Sequence, residues 1–114
     1  MIAADPRFLR GVDLFNAGEY FDASEEFEEL FFEAVRDEVE FVRIFLQVSV
    51  GMVHAERRQW RAGVERLEEG VKAIDRTANQ RGYDLARLRS ATLQAIEQLR
   101  LGRRADPYTI LRVD

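Results

Sequence analysis

Six residues of this chain carry most of its chemical potential: Ser24, Glu25 and Glu28 in one segment, and Arg43, Gln47 and His54 in the next. Placed on a helix at about 100° per residue, Ser24 and Glu28 fall inside an apolar arc. That arc is formed by Tyr20, Phe21, Ala23, Phe27, Leu30, Phe31, Phe32, Ala34 and Val35. Glu25 lies at its edge, whereas Glu26, Glu29 and Glu33 face the opposite side. A carboxylate inside an apolar arc must be hydrogen-bonded, charge-paired or neutralised. The following segment offers partners, because Glu40, Arg43, Gln47, His54 and Arg58 share one narrow sector of an otherwise apolar helix.

Facing one another, these residues would form a buried polar seam that fixes the register of two helices. An alternative use is chemical. Carboxylates at i and i+3 with a histidine from a facing helix are how helical bundles assemble metal sites. Glu25, Glu28 and His54 would then ligate a metal, or Glu25, Glu28, Gln47 and His54 would serve a hydrolytic site. Three ligands with one nitrogen make a poor set, and Mg²⁺ or Mn²⁺ held by oxygens usually takes a substrate phosphate as well. No cofactor is therefore expected. The chain has no cysteine and one histidine, which removes disulfides, thiol nucleophiles and multi-histidine centres from consideration.

The segments that must position these groups read as helices throughout. Period-3.6 patterns dominate 114 residues, and the two prolines, Pro6 and Pro107, sit near the ends. Asp5-Pro6 starts a first helix that stops before Gly18. The pattern predicts further helices over about 20–36, 38–58 and 60–77, then a loop at 79–82. A fifth helix is capped by Asp84 and ends near Leu101, followed by an extended tail. The fourth carries Gly63 and Gly70 on its apolar stripe, where close approach of a neighbour would offset their cost of about 1 kcal/mol each against alanine. The third is apolar nearly all round and belongs in the middle. The expectation is one all-α domain over 1–114: a compact bundle of about five helices, built from two helical hairpins plus a C-terminal helix and extended tail.

The string Phe15-Asn16-Ala17-Gly18-Glu19-Tyr20-Phe21-Asp22-Ala23 has the flavour of a tetratricopeptide hairpin, but no 34-residue period follows it. It is a closer match elsewhere. Phe15, Asn16, Gly18, Tyr20, Phe21, Glu25, Glu28 and Phe31, with Phe45-Leu46-Gln47 and His54 downstream, resemble the domain of unknown function 309 family. The resemblance spans about residues 8–78 and implies a compact helical bundle without an established activity. Where that family carries the histidine of His-Glu-x-x-Glu, this chain has Ser24. Serine can still hydrogen-bond a carboxylate, so a structural network survives the replacement better than a metal site does.

Charge bears on partners. The net charge is −4, unevenly spread: residues 1–40 hold 12 acids and 3 arginines, and residues 41–114 hold 9 acids and 14 bases. An acidic total argues against nucleic acid, even with Arg57, Arg58, Arg61 and Arg66 close together. The asymmetry suits a protein partner or a second copy of the chain. No apolar stretch is long enough to span a bilayer and no signal-peptide pattern appears, so the expected setting is the cytoplasm without membrane contact. The functional expectation is a non-catalytic helical module for interaction or self-association.

Overall fold

A computed structural model describes residues 1–113. A short 3-10 turn, Ile2–Ala4, leads into five helices: α1 (Pro6–Asn16), α2 (Tyr20–Glu33), α3 (Glu38–Glu56), α4 (Trp60–Arg76) and α5 (Leu85–Arg100). Asp5 caps α1, its carboxylate accepting from the Arg7 amide, and Asp84 caps α5 through the Arg87 amide. Each helix packs against the one before it and the one after it. The architecture is thus a continuous antiparallel meander in which α1–α2 and α3–α4 form the two expected hairpins and α3 lies between α2 and α4.

Helix α2 ends at Glu33, three residues before the expected Arg36. Ala34 turns the chain extended, Arg36 adopts φ 55°, and the Glu38 carboxylate accepts from the Val35 amide. A side-chain acceptor at the start of α3 thus takes a donor that a longer α2 would have used internally.

Phe8 is the hub of the core. Its ring lies 5.6 Å from Phe27, 5.4 Å from Phe41, 5.0 Å from Phe45 and 5.4 Å from Tyr83, so α1, α2, α3 and the entry to α5 meet on one aromatic side chain. Most of these contacts are edge-to-face, the geometry that ring quadrupoles favour. On the rim, Arg7 gathers Asp5, Glu29 and Glu33 and thereby ties α1 to α2. The guanidinium holds the Asp5 carboxyl down at about 2 and lowers Glu33 as well.

Glycine governs the contact between α3 and α4. A methyl group at Gly51 of α3 would sit 2.6 Å from Leu67 Cδ2 of α4, and one at Gly70 of α4 would sit 2.9 Å from Val48 Cγ1 of α3. The two helices therefore approach closely where the glycines lie, and Leu67 fills the space that a side chain at 51 would need.

The tail is extended and fastened to the bundle. The Asn16 amide donates to the Ile110 carbonyl at 3.0 Å and accepts from the Ile110 amide at 2.7 Å. Ile110 and Ala105 are buried, and Tyr108 hydrogen-bonds Thr92 at 3.1 Å.

Two outcomes follow from this packing. Gly51→Ala raises intrinsic helix propensity yet should destabilise the protein by about 1–3 kcal/mol, the cost of overpacking, as read from the denaturation midpoint. Arg7→Met should lower the melting temperature at neutral pH. Because Asp5 and Glu33 are shifted down in the folded state, their contribution is present above their ordinary values near 4 and is lost as pH falls toward about 2. The gap between wild type and variant should accordingly close over that acid range.

Candidate functional site

The sequence places six polar residues in an internal seam. The structure puts most of them on an outer face instead. Glu25 and Glu28 are exposed, and Arg43, Gln47 and His54 are half-buried. Ser24 alone is buried, and its hydroxyl donates to the Phe21 carbonyl at 2.6 Å, within its own helix. The buried positions of α2 are Tyr20, Ala23, Ser24, Phe27 and Leu30, a narrower arc than the apolar one. Phe21, Phe32 and Val35 mark the inside on a helical wheel, yet they are 53%, 79% and 61% exposed. Glu28 lies among these outward residues, and this is why it reaches water.

The polar sector of α3 is likewise its outward strip, and Arg43, Gln47 and His54 each find a nearby partner. Arg43 pairs with Glu40 at 3.2 Å and lies over the Phe31 ring at 5.0 Å. Gln47 accepts from Arg66 of α4 at 3.4 Å. The His54 Nδ1 meets the Gln59 Oε1 at 2.6 Å, just beyond the end of α3. The metal reading fails on the same geometry. Among the described residues, no group of three His, Asp or Glu side chains converges to hold a metal, so Glu25, Glu28 and His54 do not form a ligand set.

What the structure does bring together is a two-helix surface. Phe21, Glu25, Glu28 and Phe32 lie within about 60° on the outward side of α2. Arg43, Gln47, Val50, His54 and Arg57 form the matching outward strip of α3. The helices run antiparallel, with Arg57 5.9 Å from the Phe21 ring at one end and Arg43 over Phe31 at the other. The α2 strip brings two carboxylates bracketed by phenylalanines. The α3 strip brings two guanidiniums, an amide and an imidazole.

The family model described as a domain of unknown function, DUF309, matches residues 8–66. The chain belongs to the DUF309 family. No curated protein and no solved structure matches it. The DUF309 segment covers α1, α2, α3 and the first turns of α4, so it contains the Phe8 hub and both outward strips. Among the described residues, no helix of this DUF309 chain is long and apolar enough to cross a membrane.

Among the described residues, two side-chain polar atoms are buried without a hydrogen-bond partner, Oε2 on Glu40 of the expected polar sector and Oγ on Ser49, which the sequence pattern did not single out. The signal for Ser49 was available: a lone hydroxyl in the apolar centre of α3. Glu40 belongs to the polar sector the sequence marks out, but which of its oxygens is buried is decided only by folding.

The exposure of Glu28 and the half-buried, singly bonded position of His54 set an expectation for stability. Glu28→Ala and Glu28→Gln should each change unfolding free energy by no more than about 0.5 kcal/mol, as surface substitutions do. His54→Ala should cost little more than its single bond to Gln59, about 1 kcal/mol. A double-mutant cycle for Glu28 and His54 should give a coupling indistinguishable from zero.

Proposed function

We propose that this DUF309 protein is a non-catalytic self-association module, and that the outward face of α2 and α3 is where a second copy docks. The observation that carries the reading is the pairing of exposed aromatics with opposite charge on adjacent strips. Phe21 and Phe32 are large apolar groups in water, and exposed apolar surface rimmed by polar residues marks an interaction site. The charge pattern selects the occupant. The α2 strip is acidic and the α3 strip is basic, so one copy's α2 complements another copy's α3.

Symmetry then fixes the arrangement. A two-fold axis parallel to the helices sets α2 of each copy against α3 of the other, making the contact isologous. An axis across the helices would set α2 on α2 and oppose Glu25 and Glu28 to their own copies. In the favoured arrangement the acidic centre of α2 meets the Gln47–His54 stretch. The Phe32 ring lies near the partner's Arg43, and Phe21 near the partner's Arg57. The rings supply apolar burial, and the polar centre sets register and partner choice.

Sedimentation equilibrium tests this directly. Wild type should show a concentration-dependent dimer that weakens at high salt. Phe32→Ser should move the chain to monomer while leaving its helical circular dichroism intact. Glu25→Arg with Glu28→Arg should remain monomeric alone, as should Gln47→Glu with His54→Glu. Mixing those two double variants should restore a 1:1 heterodimer, because each interface half then pairs opposite charges. A wild-type chain that stays monomeric at every concentration, or double variants that dimerise as well as wild type, would overturn the proposal.

A further inference from the structure

One end of the bundle gathers arginines with few carboxylate partners. The C-terminal end of α3, the start of α4 and the end of α5 meet there. They bring together Arg57, Arg58, Arg61, Arg100, Arg103 and Arg104. Among the described residues, only Arg100 of these six forms an ion pair, with Glu68. Elsewhere Arg7, Arg10, Arg43, Arg81 and Arg89 are matched to carboxylates, whereas Arg36, Arg66, Arg76, Arg87 and Arg112 are spread singly over the surface without an ion pair among the described residues. A positive potential is therefore left standing at this pole.

Two adjoining recesses open in it, sharing Trp60 and Gly102. One, of about 360 Å³, is lined by Ala55, Glu56, Arg58, Trp60, Gly102 and Arg104. The other, of about 320 Å³, continues past Trp60 to Val64 and Leu99; its surface is largely apolar, although Glu65 lines it as well. The start of α4 adds to the polarity. No side chain caps it, the Gln59 side chain being bonded to His54, and no acid lies in its first turn. Arginines near helix C-termini also compensate the helix dipole, and that accounts for Arg100. It does not account for Arg58, which stands at φ 58°, a position where glycine ends a helix at lower cost. Its side chain lines the polar recess.

The structure assigns to this pole a binding site for a small phosphate-bearing molecule with a planar ring. Arg58 and Arg104 hold the phosphate, and the ring lies on Trp60 over Val64 and Leu99. Arginine suits phosphate through paired N–H donors, and an indole face suits a planar ring. Glu56 also lines the polar recess, and it lines two neighbouring recesses together with Tyr20 of α2. It limits affinity for the anion and leaves the phosphate to the arginine side.

The chain carries one tryptophan, and it is the residue at the centre of the site. Titration with pyrophosphate and with adenosine monophosphate can therefore be followed by Trp60 fluorescence, with calorimetry in parallel. Both probes should bind saturably, adenosine monophosphate should give the larger fluorescence change, and both affinities should fall with salt. Arg58→Gly should weaken both at least tenfold without loss of thermal stability, since glycine is at ease at that φ. Arg104→Gln should weaken both, and Glu56→Gln should strengthen both. Absence of heat and of fluorescence change with either probe at low salt would overturn the assignment. So would Arg58→Gly that binds as wild type does. A labelled oligonucleotide that binds far more tightly than adenosine monophosphate, with Arg58→Gly making no difference, would also overturn it, in favour of an open electrostatic surface.

Discussion

The fold depends on how closely α4 can approach α3. Gly51 leaves the space that Leu67 occupies, and Gly70 leaves the space beside Val48. That contact holds α3 from one side while α2 holds it from the other, so α3 becomes the central helix with a single strip left in water. Everything of functional interest follows from which strip that is. Because α2 and α4 take the two apolar flanks of α3, the residues from Arg43 to Arg57 are what remains outside.

The aromatic core on the other side makes the same demand on α2. Phe27 must face Phe8 and Phe45, at ring separations of 5.6 Å each. With Phe27 held there, Tyr20, Ala23 and Leu30 turn inward, and Phe21 and Phe32 turn out. The exposed phenylalanines are a geometric consequence of a helix with more apolar circumference than the bundle can cover. Glu25 and Glu28 are carried outward with them. The helix that anchors the core thereby also leaves an amphipathic strip in water, beside an α3 strip of opposite charge.

Charge is organised on a larger scale as well. The first 40 residues are strongly acidic, and their arginines Arg7 and Arg10 are taken up by carboxylates. The later helices carry the excess of base, and it collects where α3, α4 and α5 end or begin together. Helix ends gather unsatisfied backbone groups of both signs. At this end the side chains add positive charge, and a tryptophan sits among them. The acidic excess and the basic excess thus fall on different helices, as they do on different parts of the chain.

Much of the fold was legible because its signals are local. Asp5-Pro6, Asp84 and the glycines after α1 and α5 mark helix ends through backbone chemistry that needs no tertiary partner. Helix α3 announced its central place by its apolar circumference, and Gly63 and Gly70 announced a close crossing. The polar seam was not legible, although Ser24, Glu25, Glu28, Arg43, Gln47 and His54 were all singled out. A helical wheel reports which residues share a face, and it does so correctly here: Glu28 does lie with Phe21 and Phe32. It does not report which part of a wide apolar face is covered. That was decided by the Phe8 hub and by the α3–α4 contact, which rotate α2 and α3 until their largest interlocking side chains meet. The remaining apolar and polar residues, including every ionisable member of the expected seam, were left on the outside.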